Sequence, residues 1–432
     1  MNSRPIVPSY YLFWIRIILF FKILGFLALF ESGGLNKLVK IGLGTCMTLA
    51  IVLLSNTLIK KGLSLRIQLR NSLAFWGYLA YLVLAGISIF WAFDKNFALI
   101  QLFRDIDLFI FSFLLIRLLK SFELAFPDRD FSLSNTLYWP VSLNAAYFLL
   151  GYFFAPDVFL RLTHDGDVAR LGGLIMNPNE LGMLCSLGAG CILLKFSSFK
   201  RSLLPLFLLF ICLSVMYLTG SRSSLIGFSL LSGIFLLRSK GKWSKILLFF
   251  SILIVLPFAV QKIVLNEEKG GAEEVLSMTG RIPFWHALLT EAHPKEPLLG
   301  YGFMNIYYTK YFQGRNTYPA TMTHNTFIQV LLNLGYAGAF IVLVQMAVSI
   351  RAVIRERNDF KRLEFWLLFI PIFINSLTEF GIWGETNYGI LFYQLLFLSF
   401  VVQNSTDFQS REIRITNNFP KNGKLKITKR PI

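Results

Sequence analysis

Long uncharged apolar runs, such as Leu203–Leu218 and Ile246–Val260, limit what this chain can become more than any other feature. Each is most of a bilayer crossing, which takes roughly 20 apolar residues per helix. Of 432 residues, 55% are hydrophobic and only 15% charged, too little polar surface for a soluble protein. The expected fold class is all-α: a polytopic transmembrane helical bundle of about 12 spans. The spans lie near 11–30, 38–59, 73–91, 99–118, 134–154, 177–195, 203–219, 222–237, 245–263, 324–350, 363–381 and 386–403. The first holds Arg16 and Lys22, which must snorkel or face the bundle. No small-residue cleavage site follows it, so it reads as a retained span. Cys46, Cys185, Cys191 and Cys212 each lie inside an apolar run and read as small packing residues.

A net charge of +18 suggests nucleic acid at first sight. The positions of the charges exclude it as a partner. Basic residues cluster in alternate connections: Lys60, Lys61, Arg66 and Arg70; Lys195, Lys200 and Arg201; Arg238, Lys240, Lys242 and Lys245; Arg351, Arg355, Arg357, Lys361 and Arg362. That is the positive-inside pattern, and it puts both termini in the cytoplasm. The membrane unit then spans 1–403, and a basic cytoplasmic tail over 404–432 lies near anionic membrane lipids. One large loop, 264–323, falls on the opposite side.

Four polar segments gather on that outer side. The first runs from Arg170 to Asn177-Pro178-Asn179-Glu180. Asn177 and Glu180 suit a helix start with a capping box, and Arg170 suits a ligand contact. The second is Thr219-Gly220-Ser221-Arg222-Ser223-Ser224, where Ser221 can cap a helix and leave Arg222 at its positive end. An arginine near membrane depth is costly without an anion. The third is Thr279-Gly280-Arg281, then Trp285, then Pro297-x-x-Gly300-x-Gly302. Thr279 would cap a short amphipathic helix with Phe284, Trp285, Leu288, Leu289 and Ala292 on its apolar face. The fourth is Thr323-His324-Asn325, with Thr323 as the cap of the next span. Arginine forks and helix N-termini together favour phosphate, and a histidine beside them suits proton transfer. No paired acidic cluster suggests a metal; Asp165 and Asp167 beside His164 read as a polar turn.

In order and spacing these residues resemble the O-antigen ligase/polymerase superfamily of membrane glycosyltransferases, over about 165–345. The resemblance implies a GT-C-like helical fold in the bacterial inner membrane, with the site facing the periplasm. It implies a glycan donor on undecaprenyl diphosphate and an acceptor on lipid A–core or on another glycan, with no metal and no cofactor. By carry-over, Arg222 and Arg281 neutralise the departing diphosphate, and His324 assists the acceptor hydroxyl. Arg170, Asn177, Asn179, Ser221, Trp285 and Asn325 would bind substrate. The family commonly places a glutamate two residues before the glycine that closes the His324 motif; here that residue is Asn333, in Asn333-Leu334-Gly335.

Ligase and polymerase differ only in acceptor, and the ligase reading leads. A transporter of lipid-linked glycan would need a polar path through the bundle, for which Arg16, Lys22, Arg104, Asp105 and Glu379 are the available groups. A non-catalytic scaffold would tolerate loss of Arg222 and His324. An intramembrane serine protease using Ser221 or Ser223 with His324 lacks any accompanying element of such a site.

Overall fold

The computed structural model describes residues 6–28, 33–70, 72–163, 168–196, 203–238, 245–246, 249, 281–304, 322–379 and 381–404. In chain order the elements are α1 (Pro8–Leu24), α2 (Gly33–Lys60), β1 (Ile67–Leu69), α3 (Ser72–Ser88), α4 (Lys95–Ala125), α5 (Leu133–Phe154) and a one-turn α6 (Pro156–Phe159). The hairpin β2 (Leu160–Thr163) and β3 (Val168–Leu171) leads to α7 (Pro178–Phe196), α8 (Leu204–Thr219) and α9 (Arg222–Arg238). Then come α10 (Arg281–Ala287), α11 (Thr326–Ile354), α12 (Asp359–Ser376), α13 (Tyr388–Val401) and β4 (Val402–Asn404). The fold is mostly helical, with two small antiparallel ladders: β1 on β4 and β2 on β3.

Eleven of the expected spans coincide with helices among the described residues. The remaining one, 245–263, lies outside them except for Lys245, Ile246 and Phe249, as do the Asp165–Asp167 turn, Thr279, most of the 264–323 loop and the tail beyond 404. Two described helices, Gly33–Lys60 and Thr326–Ile354, are long and apolar enough to cross a membrane by length and composition; Ser72–Ser88, Leu204–Thr219 and Tyr388–Val401 are apolar but shorter. Others carry charges, and several of these are paired inside the bundle. Lys22 is buried, with Nζ donating to Asp107 Oδ2 at 2.6 Å, Gly44 O at 2.9 Å and Thr48 Oγ1 at 2.9 Å. Asp105 Oδ1 accepts from Tyr78 Oη at 2.9 Å and from Gln394 Nε2 at 3.0 Å. Arg16 donates to Asn135 O at 2.7 Å and sits over the Tyr138 ring. Arg16 and Lys22 therefore face the bundle rather than snorkel. Cys185, Cys191 and Cys212 are buried packing residues, and Cys46 is exposed.

Asparagine starts the late helices, because its side-chain oxygen satisfies the first free amides. Asn358 caps α12, Asn387 caps α13, and Asn325 caps α11 through Phe327 N at 2.9 Å and Ile328 N at 3.1 Å. Thr323 does not cap α11 as the sequence suggests, because its hydroxyl donates to Asn325 O at 2.8 Å. α7 packs against α5, α8, α9 and α12, while α11 packs on α3 and α13 on α4. The segment between α12 and α13 is pinned by Trp383, which is fully buried and stacks on Tyr78 at 4.8 Å.

α11 is broken at Gly335, where φ is 62° and ψ is −161°. The break strips Leu332 O and Asn333 O of their partners four residues on. Both are recovered from the Pro297–Gly302 loop, through Tyr301 N at 2.9 Å and Gly302 N at 2.9 Å. In return Tyr336 N donates to Pro297 O at 2.8 Å, and Ala337 N to Leu298 O at 3.1 Å. Broken helices at membrane depth survive when neighbouring backbone satisfies the freed groups in this way. A Cβ on Gly335 would lie 2.3 Å from the Leu298 carbonyl carbon. Gly335→Ala is therefore expected to destabilise the protein by about 3 kcal/mol through backbone strain and overpacking. Thermal unfolding of the purified variant in detergent checks this; an unchanged midpoint would contradict it.

Candidate active site

The site forms where the first turns of α7, α9 and α11 meet the segment after α12. Asn177 Oδ1 accepts from Asn179 N at 2.9 Å and Pro178 opens α7, so this start is built as the sequence suggests. The Glu180 side chain makes no hydrogen bond among the described residues, so no capping box closes there. Gly220, at φ 59°, ends α8 in the left-handed conformation and turns the chain at once into α9. Ser221 is buried; its Oγ accepts from Ser224 N at 3.3 Å and lies 2.8 Å from Ser224 Oγ. Its hydroxyl thus serves the helix start, and Arg222 is the first residue of α9. Ser224 Oγ donates to Asn179 O at 3.3 Å, joining the starts of α7 and α9.

Glu379 is the hub. Its carbonyl oxygen accepts from Thr326 Oγ1 at 3.3 Å, and the same hydroxyl accepts from Gly381 N at 2.9 Å, which straps the segment to the start of α11. Its carboxylate is 2.7 Å from Arg281 Nη2 and 2.7 Å from Asn179 Nδ2 through Oε1, and 2.8 Å from His324 Nδ1 through Oε2. Arg170 reaches the same group through Asn179, with Nη2 donating to Asn179 Oδ1 at 2.7 Å and Nε to Thr219 O at 2.7 Å. Residues 170, 179, 281, 324 and 379 are thus one hydrogen-bonded cluster drawn from five separate stretches of chain.

Several cations gather at this carboxylate among the described residues. Burial would raise the Glu379 carboxyl, but the hydrogen bond and charge of His324, the charge of Arg281 and the Asn179 amide outweigh it and hold it at about 2. Burial pulls Arg170 down to about 10; Glu379 opposes this, while repulsion from Arg281, Arg161 and Arg222 adds to it. Arg281 and His324 thus meet on the Glu379 carboxylate, with Arg170 and Arg222 close by and the Glu180 carboxyl near enough to feel its charge. Arg281 Nε is buried without a hydrogen-bond partner. Helix N-termini add partial positive charge at the same place. Arginine side chains and helix N-termini at one place are groups that suit an anion.

Two further expected site residues act mainly on structure. Asn325 caps α11 and donates from Nδ2 to Leu377 O at 3.2 Å. Trp285 Nε1 donates to Thr323 O at 2.6 Å, fixing α10 beside His324. Phe284, Leu288 and Ala292 form the buried face of the α10 region, while Leu289 is exposed. His324 itself has φ 51°, a conformation held by the contacts on either side of it.

Residues 207–343 match the family described as O-antigen ligase. The resemblance to the O-antigen ligase/polymerase superfamily is thus shown over the stretch that carries Arg222, Arg281 and His324. Arg170, Asn179 and Glu379 lie outside the O-antigen ligase match and join the site through the geometry above. The match supports a glycosyl-transferring, O-antigen ligase-like membrane protein. No curated protein matches the chain.

The sequence offers Glu379 only as a group for a transport path. The signal that marks it is a lone acid at the end of an apolar stretch, which needs a cation from elsewhere in the fold. At the position of the family's usual glutamate, Asn333 is buried and accepts from Gln329 Nε2 at 2.9 Å. The acid on His324 is Glu379.

Proposed function

We propose that the protein is a ligase that transfers a glycan from undecaprenyl diphosphate to an acceptor hydroxyl, on lipid A–core, at the periplasmic face of the inner membrane. The observation that carries this reading is the convergence of Arg281, His324 and, through Asn179, Arg170 on Glu379, with Arg281 Nε buried without a hydrogen-bond partner. A diphosphate placed there gains arginine forks and helix N-termini, with its lipid tail between helices. The acceptor oxygen attacks the anomeric carbon, and the bond from that carbon to the diphosphate breaks. The electron pair leaves with the diphosphate, whose growing charge Arg170, Arg222 and Arg281 neutralise in the role a metal would otherwise fill.

The proton goes to His324. A carboxylate only accepts hydrogen bonds, so the His324 nitrogen facing Glu379 Oε2, Nδ1, carries a hydrogen. Nε2 is then the nitrogen that takes the acceptor proton, with Glu379 holding the ring and stabilising the imidazolium that forms. In this reading Glu379 is a positioning residue.

A polymerase would use the same chemistry on the end of a growing glycan. Deleting the gene in its host and analysing surface glycan and lipid extracts separates the two. The ligase reading predicts long chains accumulating on undecaprenyl diphosphate while lipid A–core stays bare. Single repeat units on either carrier would make the protein a polymerase, and an unchanged glycan would sink both.

A further inference from the structure

A second polar site lies at the far end of the bundle. α12 has 18 residues and so runs about 27 Å from the Glu379 cluster to its own start at Asp359, close to the thickness of a bilayer's hydrocarbon core. At that start is a cavity of about 170 Å³. Its polar lining holds three cations, Lys120, Arg129 and Lys361, and three acids, Glu123, Asp130 and Glu364. Ser132 and Ser399 add hydroxyls, and the rest is apolar, including Phe131, Phe360 and Phe400.

Most of these charges are paired. Glu123 takes Lys120 at 3.1 Å and Lys361 at 3.7 Å, and Asp130 takes Lys195 at 2.5 Å. Glu364 differs. It is 8% exposed, and its Oε1 accepts from Ser134 N at 2.7 Å and Ser134 Oγ at 2.6 Å. Its Oε2 has no hydrogen-bond partner among the described residues; the residue lines the cavity, with Lys120 in electrostatic reach. Arg129, on the rim, has no side-chain hydrogen bond or ion pair among the described residues. The cavity thus offers a buried acceptor at its base and a cation at its mouth, in an otherwise neutral, half-apolar wall. A free anion fits that pattern poorly, and so does a free cation. A group carrying both charges a few ångströms apart, with hydrocarbon attached, fits it.

We propose that this cavity binds the headgroup of an amine-bearing zwitterionic phospholipid. The primary ammonium pairs with Glu364 Oε2, the phosphodiester lies against Arg129 and Lys361, and the glycerol and upper acyl chains lie along the aromatic wall. The site is independent of the glycan chemistry and sits at the opposite membrane surface, the inner leaflet in the orientation set by the basic connections.

The test uses the full-length protein, purified and stripped of lipid in detergent. Phosphatidylethanolamine, phosphatidylglycerol and soluble glycerophosphoethanolamine are each titrated, with native mass spectrometry and thermal unfolding as readouts. Phosphatidylethanolamine is expected to stay bound and raise the unfolding midpoint. Arg129→Gln and Glu364→Gln should each weaken it by about tenfold, the usual loss for one charge-assisted hydrogen bond. Arg129 is exposed, so its variant folds even where loss of the Ser134 anchor harms the Glu364 variant. Equal binding of phosphatidylglycerol, unchanged binding by Arg129→Gln, or equal stabilisation by the soluble headgroup would each overturn the proposal.

Discussion

Replacing Arg281 by alanine is expected to lower glycan transfer by about 10³-fold, with the protein still inserted and accumulating. Charge develops on the diphosphate as it leaves, and a guanidinium already in place stabilises it without reorganisation. Arg281 is so placed: one nitrogen is fixed on Glu379 at 2.7 Å, while its Nε is buried without a partner. The carboxylate keeps His324 and Asn179 when the arginine goes, which is why the fold survives. Arg281→Lys should rescue little, because one ammonium cannot hold Glu379 and fork a phosphate at once. Arg222→Ala should fall by a similar factor, since Arg222 faces the same ground at the start of α9. The measurement is transfer rate per inserted protein. Equal, normal rates for Arg281→Lys and Arg281→Ala would remove Arg281 from the site.

Glu379→Gln is the second large effect, expected at about 10²–10⁴-fold on kcat with little change in donor KM. The amide keeps the shape but offers a donor as well as an acceptor, so it no longer dictates which imidazole nitrogen holds the hydrogen, and it no longer stabilises the imidazolium. Glu379→Asp should recover part of the rate, which a purely packing role would not require. The same carboxyl sets a stability signature. Its value in the folded state, about 2, is below the ordinary 4.5, so its contribution is fully present above about pH 4.5 and is lost as pH falls toward 2. Thermal unfolding from pH 6 to 3 should show that slope in the parent protein and a flatter one in Glu379→Gln. Identical pH profiles of stability and of rate would remove Glu379 from its role.

What was legible in the sequence follows from the range of the interactions involved. Helix positions follow from hydropathy, a local property, so the helices α1 to α5, α7 to α9 and α11 to α13 are readable by eye. Asn179, Arg281 and His324 could be picked out because each sits at a helix start or beside one, and Arg170 because it is a cation in the polar segment that leads into α7. Their meeting point could not. Glu379 is 200 residues from Asn179 and 98 from Arg281, and no local pattern links them. The break in α11 was hidden for the same reason. Gly335 alone reads as an ordinary helix glycine until the Pro297–Gly302 loop is seen filling its backbone vacancies. Where local cues did mislead, two candidate caps competed. At Thr323 and Asn325 the shorter reach of asparagine to the Phe327 and Ile328 amides won.

The central claim is that the cation cluster around Glu379 transfers glycan from a lipid diphosphate. The most direct test is reconstitution. Purified protein is mixed with undecaprenyl-diphosphate-linked glycan and acceptor in the presence of a chelator, and glycosylated acceptor and released undecaprenyl diphosphate are both counted. The account predicts that they appear in equal amounts, and that both vanish together in the Arg281→Ala and His324→Ala proteins. Transfer that persists in those variants, or no transfer from any lipid-linked donor, would contradict it.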